Sequence, residues 1–201
     1  MRLVAVCLCL VPMLAWPCTE APDRRYTNAE NLRVAIEERF TERDWATAFQ
    51  WATKAQDDDR TRRLPMAEQR RIRELGARAA IRLGRYANAV ERLKALLALG
   101  NEPALEARLL EAQLSQAEST DALDEQAVNA AARQLRDGKA DVDLQVALVP
   151  QLRRAKRTEL VATVCRDLER LEPSNVDVKR VCAAAPAPAK PPTPRQLGGC
   201  T

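Results

Sequence analysis

Apolar residues recur along most of this chain at intervals of three and four positions, with charged residues between them. In the stretch from 65 to 83, for example, Ile72, Leu75 and Ala79 fall on one face of a helix. Alternation of apolar and polar residues at a period of two is nearly absent, so no sheet is predicted. Ala, Leu, Arg and Glu, which are strong helix formers, dominate the composition, and aromatic residues make up only 3%. We therefore expect an all-α protein.

Helix-start and helix-stop residues divide this pattern into four successive pairs of helices and a short closing helix. Capping residues, prolines at helix starts and glycines after helix ends mark the boundaries. The boundary residues are Thr27 with Glu30 and Trp45 for the first pair, Pro65 and Gly100 for the second, and Pro103 and Gly138 for the third. The fourth pair is predicted at about Val142 to Arg154 and Thr158 to Leu171. The closing helix is predicted to be capped by Ser174 with Asp177 and to run through about Cys182. Pro150 is expected to kink or restart the helix that contains it.

The second helices of these pairs share a short motif. Residues 43–55, RDWATAFQWATKA, align with residues 84–96, GRYANAVERLKAL, and each has an aromatic residue followed three positions later by Ala. The aromatic ring would fill the joint between two helices, and the Ala would let their backbones approach. Fainter copies follow near residues 127 and 161. The positions that we assign to packing between repeats are Trp45, Ala48, Gly84, Tyr86, Ala89, Pro103, Ala127, Val161 and Pro173.

The stretch from Leu83 to Pro103, LGRYANAVERLKALLALGNEP, resembles the second half of a tetratricopeptide repeat (TPR). That repeat is a helix–turn–helix unit of about 34 residues that stacks on copies of itself. Ala48 and Ala89 are 41 residues apart, and the polar linker 56–63 would absorb the surplus. The resemblance implies an α-solenoid of about four antiparallel helix pairs with a C-terminal capping helix, spanning residues 27–182. A helical bundle without repeats is the alternative.

The two ends of the chain differ from this central domain. Residues 1–21 are typical of a secretory signal peptide, because Arg2 precedes an apolar run that is too short to span a bilayer. Cys18 allows a second interpretation, a lipoprotein signal with a lipid on that Cys, although Trp16 and Pro17 stand where small residues are preferred. Residues 183–201 are rich in Pro and Ala, and we expect a disordered tail that is a spacer or a ligand for an aromatic groove.

Two of the six cysteines are placed to meet. Cys165 and Cys182 lie nine and eight residues on either side of Ser174, the predicted turn between the last repeat helix and the closing helix. Such positions come level in an antiparallel pair, so we predict a disulfide, with two buried thiols as the alternative. Cys7 and Cys9 lie in the export segment, and Cys200 lies in the tail.

The composition argues against catalysis and against metal binding. The chain has no His, which removes the commonest general base and metal ligand, and no Cys pair has metal-binding spacing. The one candidate nucleophile, Cys165 beside Arg166, falls within a predicted helix with no loop to form an oxyanion site. We expect no enzyme, no cofactor and no metal site. The net charge of +4 is too small to indicate nucleic acid as a partner.

The resemblance implies a docking surface instead. In a solenoid the first helices of successive repeats line the concave face, and we expect Arg71, Glu74, Arg78 and Arg82 to lie near it. The expected partner is a protein or an extended peptide segment, an acidic one included, and solvated surface is the alternative for these arginines. We expect a non-catalytic scaffold or adaptor that is exported to the bacterial periplasm or associated with the outer membrane. The alternative is an envelope lipoprotein, held to the membrane through Cys18, with a structural or assembly role.

Overall fold

The computed structural model describes residues 29–100 and 102–183, and these residues form an all-α protein. The helices are α1 (Ala29–Thr41), α2 (Trp45–Asp57), α3 (Asp59–Arg62), α4 (Met66–Arg82), α5 (Tyr86–Leu97), α6 (Pro103–Ser119), α7 (Glu125–Arg136), α8 (Val142–Arg154), α9 (Thr158–Leu171) and α10 (Val176–Ala183). The predicted signal peptide, Cys18, Thr27, Cys200 and nearly all of the predicted tail lie outside the described residues.

The helices pack in sequential pairs, in an arrangement consistent with a helical repeat array. The pairs are α1 with α2, α4 with α5, α6 with α7, and α8 with α9. Each second helix also contacts the first helix of the next pair, and α10 closes the array against α8 and α9. The prediction of an all-α array of four pairs and a closing helix is confirmed. The predicted polar linker 56–63 differs in one respect, because α3 is a short helix within it.

The same tight turn joins the two helices in three of the pairs. Three residues separate α1 from α2, α4 from α5, and α8 from α9. The middle residue has a positive φ in each case: 64° at Arg43, 70° at Gly84 and 56° at Lys156. The next residue donates its backbone N–H to the carbonyl five positions earlier, at 2.8–2.9 Å. This geometry satisfies the last carbonyls of the first helix and turns the chain back on itself.

Equivalent buried positions follow each turn. In each second helix, one residue donates the first helical hydrogen bond, from its backbone N–H to the carbonyl four positions earlier. These residues are Ala48, Ala89, Val128 and Val161. Each has an exposed fraction of 0–1%, so small side chains occupy every one of these contacts. The structure places Val128 in the equivalent position rather than its neighbour Ala127, which is also buried. Trp45 and Tyr86 are half-buried, and Gly84, Pro103 and Pro173 are exposed.

One glycine lets two helices of neighbouring pairs approach closely. A Cβ atom added to Gly76 of α4 would lie 2.8 Å from the Cβ of Ala52 on α2. That distance is shorter than van der Waals contact allows, so the α2–α4 packing depends on the absence of a side chain at residue 76. Close-packed interiors of this kind tolerate little added volume.

Helix α6 divides the interior into two clusters. Leu105 and Ala112 pack into the cluster built by α1, α2, α4 and α5, whereas Ala107 and Leu114 pack into the cluster built by α7 to α10. Each couple is spaced seven residues apart, which is two helical turns, so α6 presents one apolar face to each cluster. The third pair therefore joins the two halves of the domain.

One local expectation is narrowed by the structure and another is wrong. Of the kink or restart expected at Pro150, the restart does not occur, because α8 continues through that residue. The closing helix is capped by Asn175, not by Ser174, because the Asn175 side chain accepts a hydrogen bond from the backbone N–H of Asp177 at 2.9 Å. Asn and Ser are both strong capping residues, and only the backbone geometry decides between adjacent candidates.

Candidate protein-binding face

Helix α4 carries the four side chains that the sequence assigned to a partner groove. We call the surface formed by α1, α4, α6 and α8 the first-helix face. Arg71 and Arg78 line a cavity of about 500 Å³ between α1, α2 and α4. Arg71 and Glu74 line a second cavity, of about 420 Å³, toward α6. Arg82 lines a groove of about 630 Å³ that crosses α6 and α8 and is walled by α10.

Alternating charges link α1 to α4 on this face. The chain of ion pairs runs from Glu68 to Arg33 at 2.5 Å, from Arg33 to Glu37, from Glu37 to Arg71 at 2.9 Å, from Arg71 to Glu74 at 3.1 Å and from Glu74 to Arg78 at 3.9 Å. The hydrogen bond that Arg71 donates to the Glu37 carboxylate raises the pKa of Arg71, and Glu74 adds to the effect. Most of these groups are between a quarter and two fifths exposed, so solvent screens each pair. Together they hold these long side chains in defined positions on the face.

A second ion-paired group lies on α6 and α8. Arg108 contacts Glu111 at 2.7 Å, Asp141 at 2.7 Å and Asp143 at 3.0 Å. These carboxylates outweigh the effect of burial and raise the pKa of Arg108. Arg82 of α4 also reaches Asp143, at 3.0 Å, and so connects α4 to α8 across α6.

Glu111 is the buried member of this second group. Only 6% of the residue is exposed, and burial raises its pKa above the ordinary value. The hydrogen bond from Arg108 opposes this shift, but Arg108 is shared among three carboxylates, and the charge of Asp143 raises the pKa further. Glu111, whose ionisation is disfavoured by burial, therefore lines the groove that crosses α6 and α8.

Arg78 lies between the two ion-paired groups and is fully matched by neither. Among the described residues, Glu74 is its only carboxylate within ion-pair distance, and that contact is 3.9 Å long. Its guanidinium lies 4.8 Å from the centre of the Phe40 ring, and Phe40 meets Trp45 edge to face at 4.7 Å. Burial lowers the pKa of Arg78, and the positive charges of Arg108, Arg71 and Arg82 lower it further. Arg78 is a half-buried cation among other cations.

The two cysteines predicted to pair are joined by a disulfide. Cys165 of α9 and Cys182 of α10 have Cα atoms 5.4 Å apart, and both residues are buried. The bond fastens α10, which walls the groove on α6 and α8. While it stands, Cys165 offers no free thiol. No cluster of three metal-binding side chains occurs within residues 29–100 and 102–183.

Several residues of this face were not predicted from the sequence. Arg43, Phe40, Arg108, Glu111 and Asp143 all line its cavities or ion pairs. Phe40 carried a weak sequence signal, since it precedes the turn into the aromatic motif at Trp45. The other four are charged residues in a sequence that is 30% charged, and nothing in their spacing sets them apart.

Comparison of this chain with protein-family models, with curated proteins and with solved structures finds no match. Among the described helices, none combines the length and the apolar character that crossing a membrane requires.

Proposed function

We propose that this protein is an exported, non-catalytic scaffold of the TPR-like type, which holds a segment of another protein on its first-helix face. The observation that carries the proposal is the position of Arg71, Glu74, Arg78 and Arg82, each of which borders a cavity on that face. Side chains that line concave surfaces and are held by ion pairs can bind without a large loss of conformational entropy.

The helix pairing supports the TPR-like assignment. Three pairs share one turn geometry, and the buried small residue after each turn matches the aromatic-to-Ala motif at Ala48 and Ala89. Repeats built in this way present extended surfaces rather than enclosed sites, and they act by binding.

The disulfide supports export. Disulfides persist in oxidising compartments such as the bacterial periplasm and are rare in the cytosol. We infer a periplasmic or outer-membrane-associated location. In the alternative proposal, a lipid on Cys18 holds the same domain at the membrane as an envelope lipoprotein. Detergent partitioning of the wild type and of Cys18→Ala separates these two forms. If the protein is lipid-anchored, the wild type should enter the detergent phase and Cys18→Ala should stay in the aqueous phase. If it is not, both should stay in the aqueous phase.

Site-specific photo-crosslinking in the producing cell tests the binding proposal. A crosslinking residue at Ala67 of α4 or Ser115 of α6 would lie in the cavities of the first-helix face. The matched controls are Ala95 of α5 and Gln126 of α7, exposed positions on second helices. We expect protein crosslinks from the first two positions and few from the controls. Equal crosslinking from both sets, or none from the first set, would refute the proposal.

A further inference from the structure

The cavity between α1, α2 and α4 combines uncompensated positive charge with an aromatic wall. Of the charged residues in the described part of the chain, those that line it are Arg43, Arg71, Arg78 and one carboxylate, Glu37. Glu37 is already shared between Arg33 and Arg71. Arg43 is exposed and has no ion pair with any residue in the described part of the chain. Glu74 pairs with Arg71 at 3.1 Å but reaches Arg78 only at 3.9 Å. Among the described residues, Arg43 and the weakly paired Arg78 therefore leave the lining with a net positive charge.

The aromatic wall lies beside this charge. Phe40 and Trp45 are half-buried, and both contribute to the same cavity as Arg78. The guanidinium carbon of Arg78 lies 4.8 Å from the centre of the Phe40 ring, so the cation lies against the aromatic wall. A planar guanidinium held in this way suits the two oxygens of a carboxylate.

We propose that this cavity takes an acidic side chain from within the bound protein segment, with a neighbouring apolar side chain packed against Phe40 and Trp45. This inference rests on the proposed function and names the chemistry of the partner. Folding has already removed much of the water around Arg78, so an incoming carboxylate gains a stronger attraction than it would at a fully exposed Arg. A basic segment would instead meet Arg43, Arg71 and Arg78 and be repelled.

Selection from a library of random peptides, each blocked at its C-terminus by an amide, tests the inference with the immobilised full chain. The amide removes the terminal carboxylate, so only side chains can supply the charge. We expect the wild type to select peptides in which Asp or Glu lies next to an apolar residue. Arg78→Gln should lose this preference, and Arg133→Gln, an exposed position on α7, should keep it.

A selected peptide then gives the coupling between the two charges. Replacing its acidic residue by the matching amide should weaken binding to the wild type about tenfold or more, and should change binding to Arg78→Gln little. Arg43→Asn provides a variant that cannot disturb the interior, because residue 43 is exposed and Asn tolerates its positive φ. It should weaken binding of the acidic peptide in the same direction by a smaller factor.

The outcomes separate the inference from the proposal on which it rests. Peptides selected by the wild type without acidic residues, or acidic peptides that bind Arg78→Gln and Arg43→Asn as tightly as the wild type, would overturn the inference alone. Failure of the wild type to select any peptide would count against the binding function itself, and with it the inference.

Discussion

The guanidinium of Arg82 on α4 lies 3.0 Å from the carboxylate of Asp143 on α8. These helices belong to the second and fourth pairs, and α5, α6 and α7 lie between them in the chain. Arg108 of α6 reaches the same carboxylate at 3.0 Å, so Asp143 is the point at which three first helices meet. This relationship links the two hydrophobic clusters on the side where a partner is proposed to bind.

The direct contribution of the Arg82–Asp143 pair to stability should be small. The two side chains are 41% and 35% exposed, so solvent screens their attraction. A double-mutant cycle with Arg82→Ala and Asp143→Ala, followed by urea denaturation, should give a coupling free energy of about 0.2–1 kcal/mol. A coupling above about 2 kcal/mol would show that the pair is more buried than the structure has it.

Glu111 should make stability depend on pH in a specific direction. Its folded-state pKa lies above its ordinary value, so the folded protein holds the proton more tightly than the unfolded chain. The stability from this group is fully present below the ordinary pKa of 4.5 and is lost as pH rises through the raised value.

Glu111→Gln, which cannot ionise, isolates this effect. Its free energy of unfolding minus that of the wild type should increase as pH is raised from about 4 to about 7. Urea denaturation of both proteins across that range measures the difference. A decrease with pH would mean that pairing with Arg108 outweighs the burial of Glu111.

Gly76→Ala should destabilise the protein. In an exposed helix this change is favourable by about 1 kcal/mol, because Ala is the better helix former. At residue 76 the new methyl group would lie 2.8 Å from the Cβ of Ala52, and the resulting overpacking should lower the free energy of unfolding by about 1–2 kcal/mol net. Thermal unfolding gives the sign, and a gain in stability would disprove the close approach of α2 and α4.

Lys156→Gly should stabilise the protein by about 1 kcal/mol, because Lys156 has a φ of 56° and only glycine adopts that conformation without a steric cost. Lys139→Gly is the matched control, since Lys139 is also exposed, lies in a loop and does not have a positive φ. The control should gain nothing. Similar effects of the two changes in urea denaturation would argue against the shared turn.

The disulfide should contribute about 3 kcal/mol in the chain-entropy model, given a sequence separation of 17 residues. Reduction of the wild type should lower the urea midpoint accordingly. A Cys165→Ala/Cys182→Ala double variant should already be destabilised and should not respond to reductant. If the midpoint of the wild type did not change on reduction, the clamp on α10 would have no energetic role.

The features that the sequence predicted well are those set by neighbours along the chain. The bounds of α8 and α9 follow from caps and from the spacing of apolar residues, both of which act within one or two helical turns. The disulfide between Cys165 and Cys182 followed in the same way, because positions equally far from a turn come level in a hairpin. Each of these depends on spacing alone.

Only the tertiary structure decided the features that depend on the relative orientation of packed helices, namely the shared turn and the ion pairing on the first-helix face. The turn shared by Arg43, Gly84 and Lys156 was hidden because only one of the three residues is glycine. Whether Arg78 finds an ion-pair partner depends on which carboxylates the four first helices bring within reach, and within residues 29–100 and 102–183 the nearest is 3.9 Å away. Charge balance at a site is a sum over groups from distant parts of the chain, and local spacing does not fix that sum.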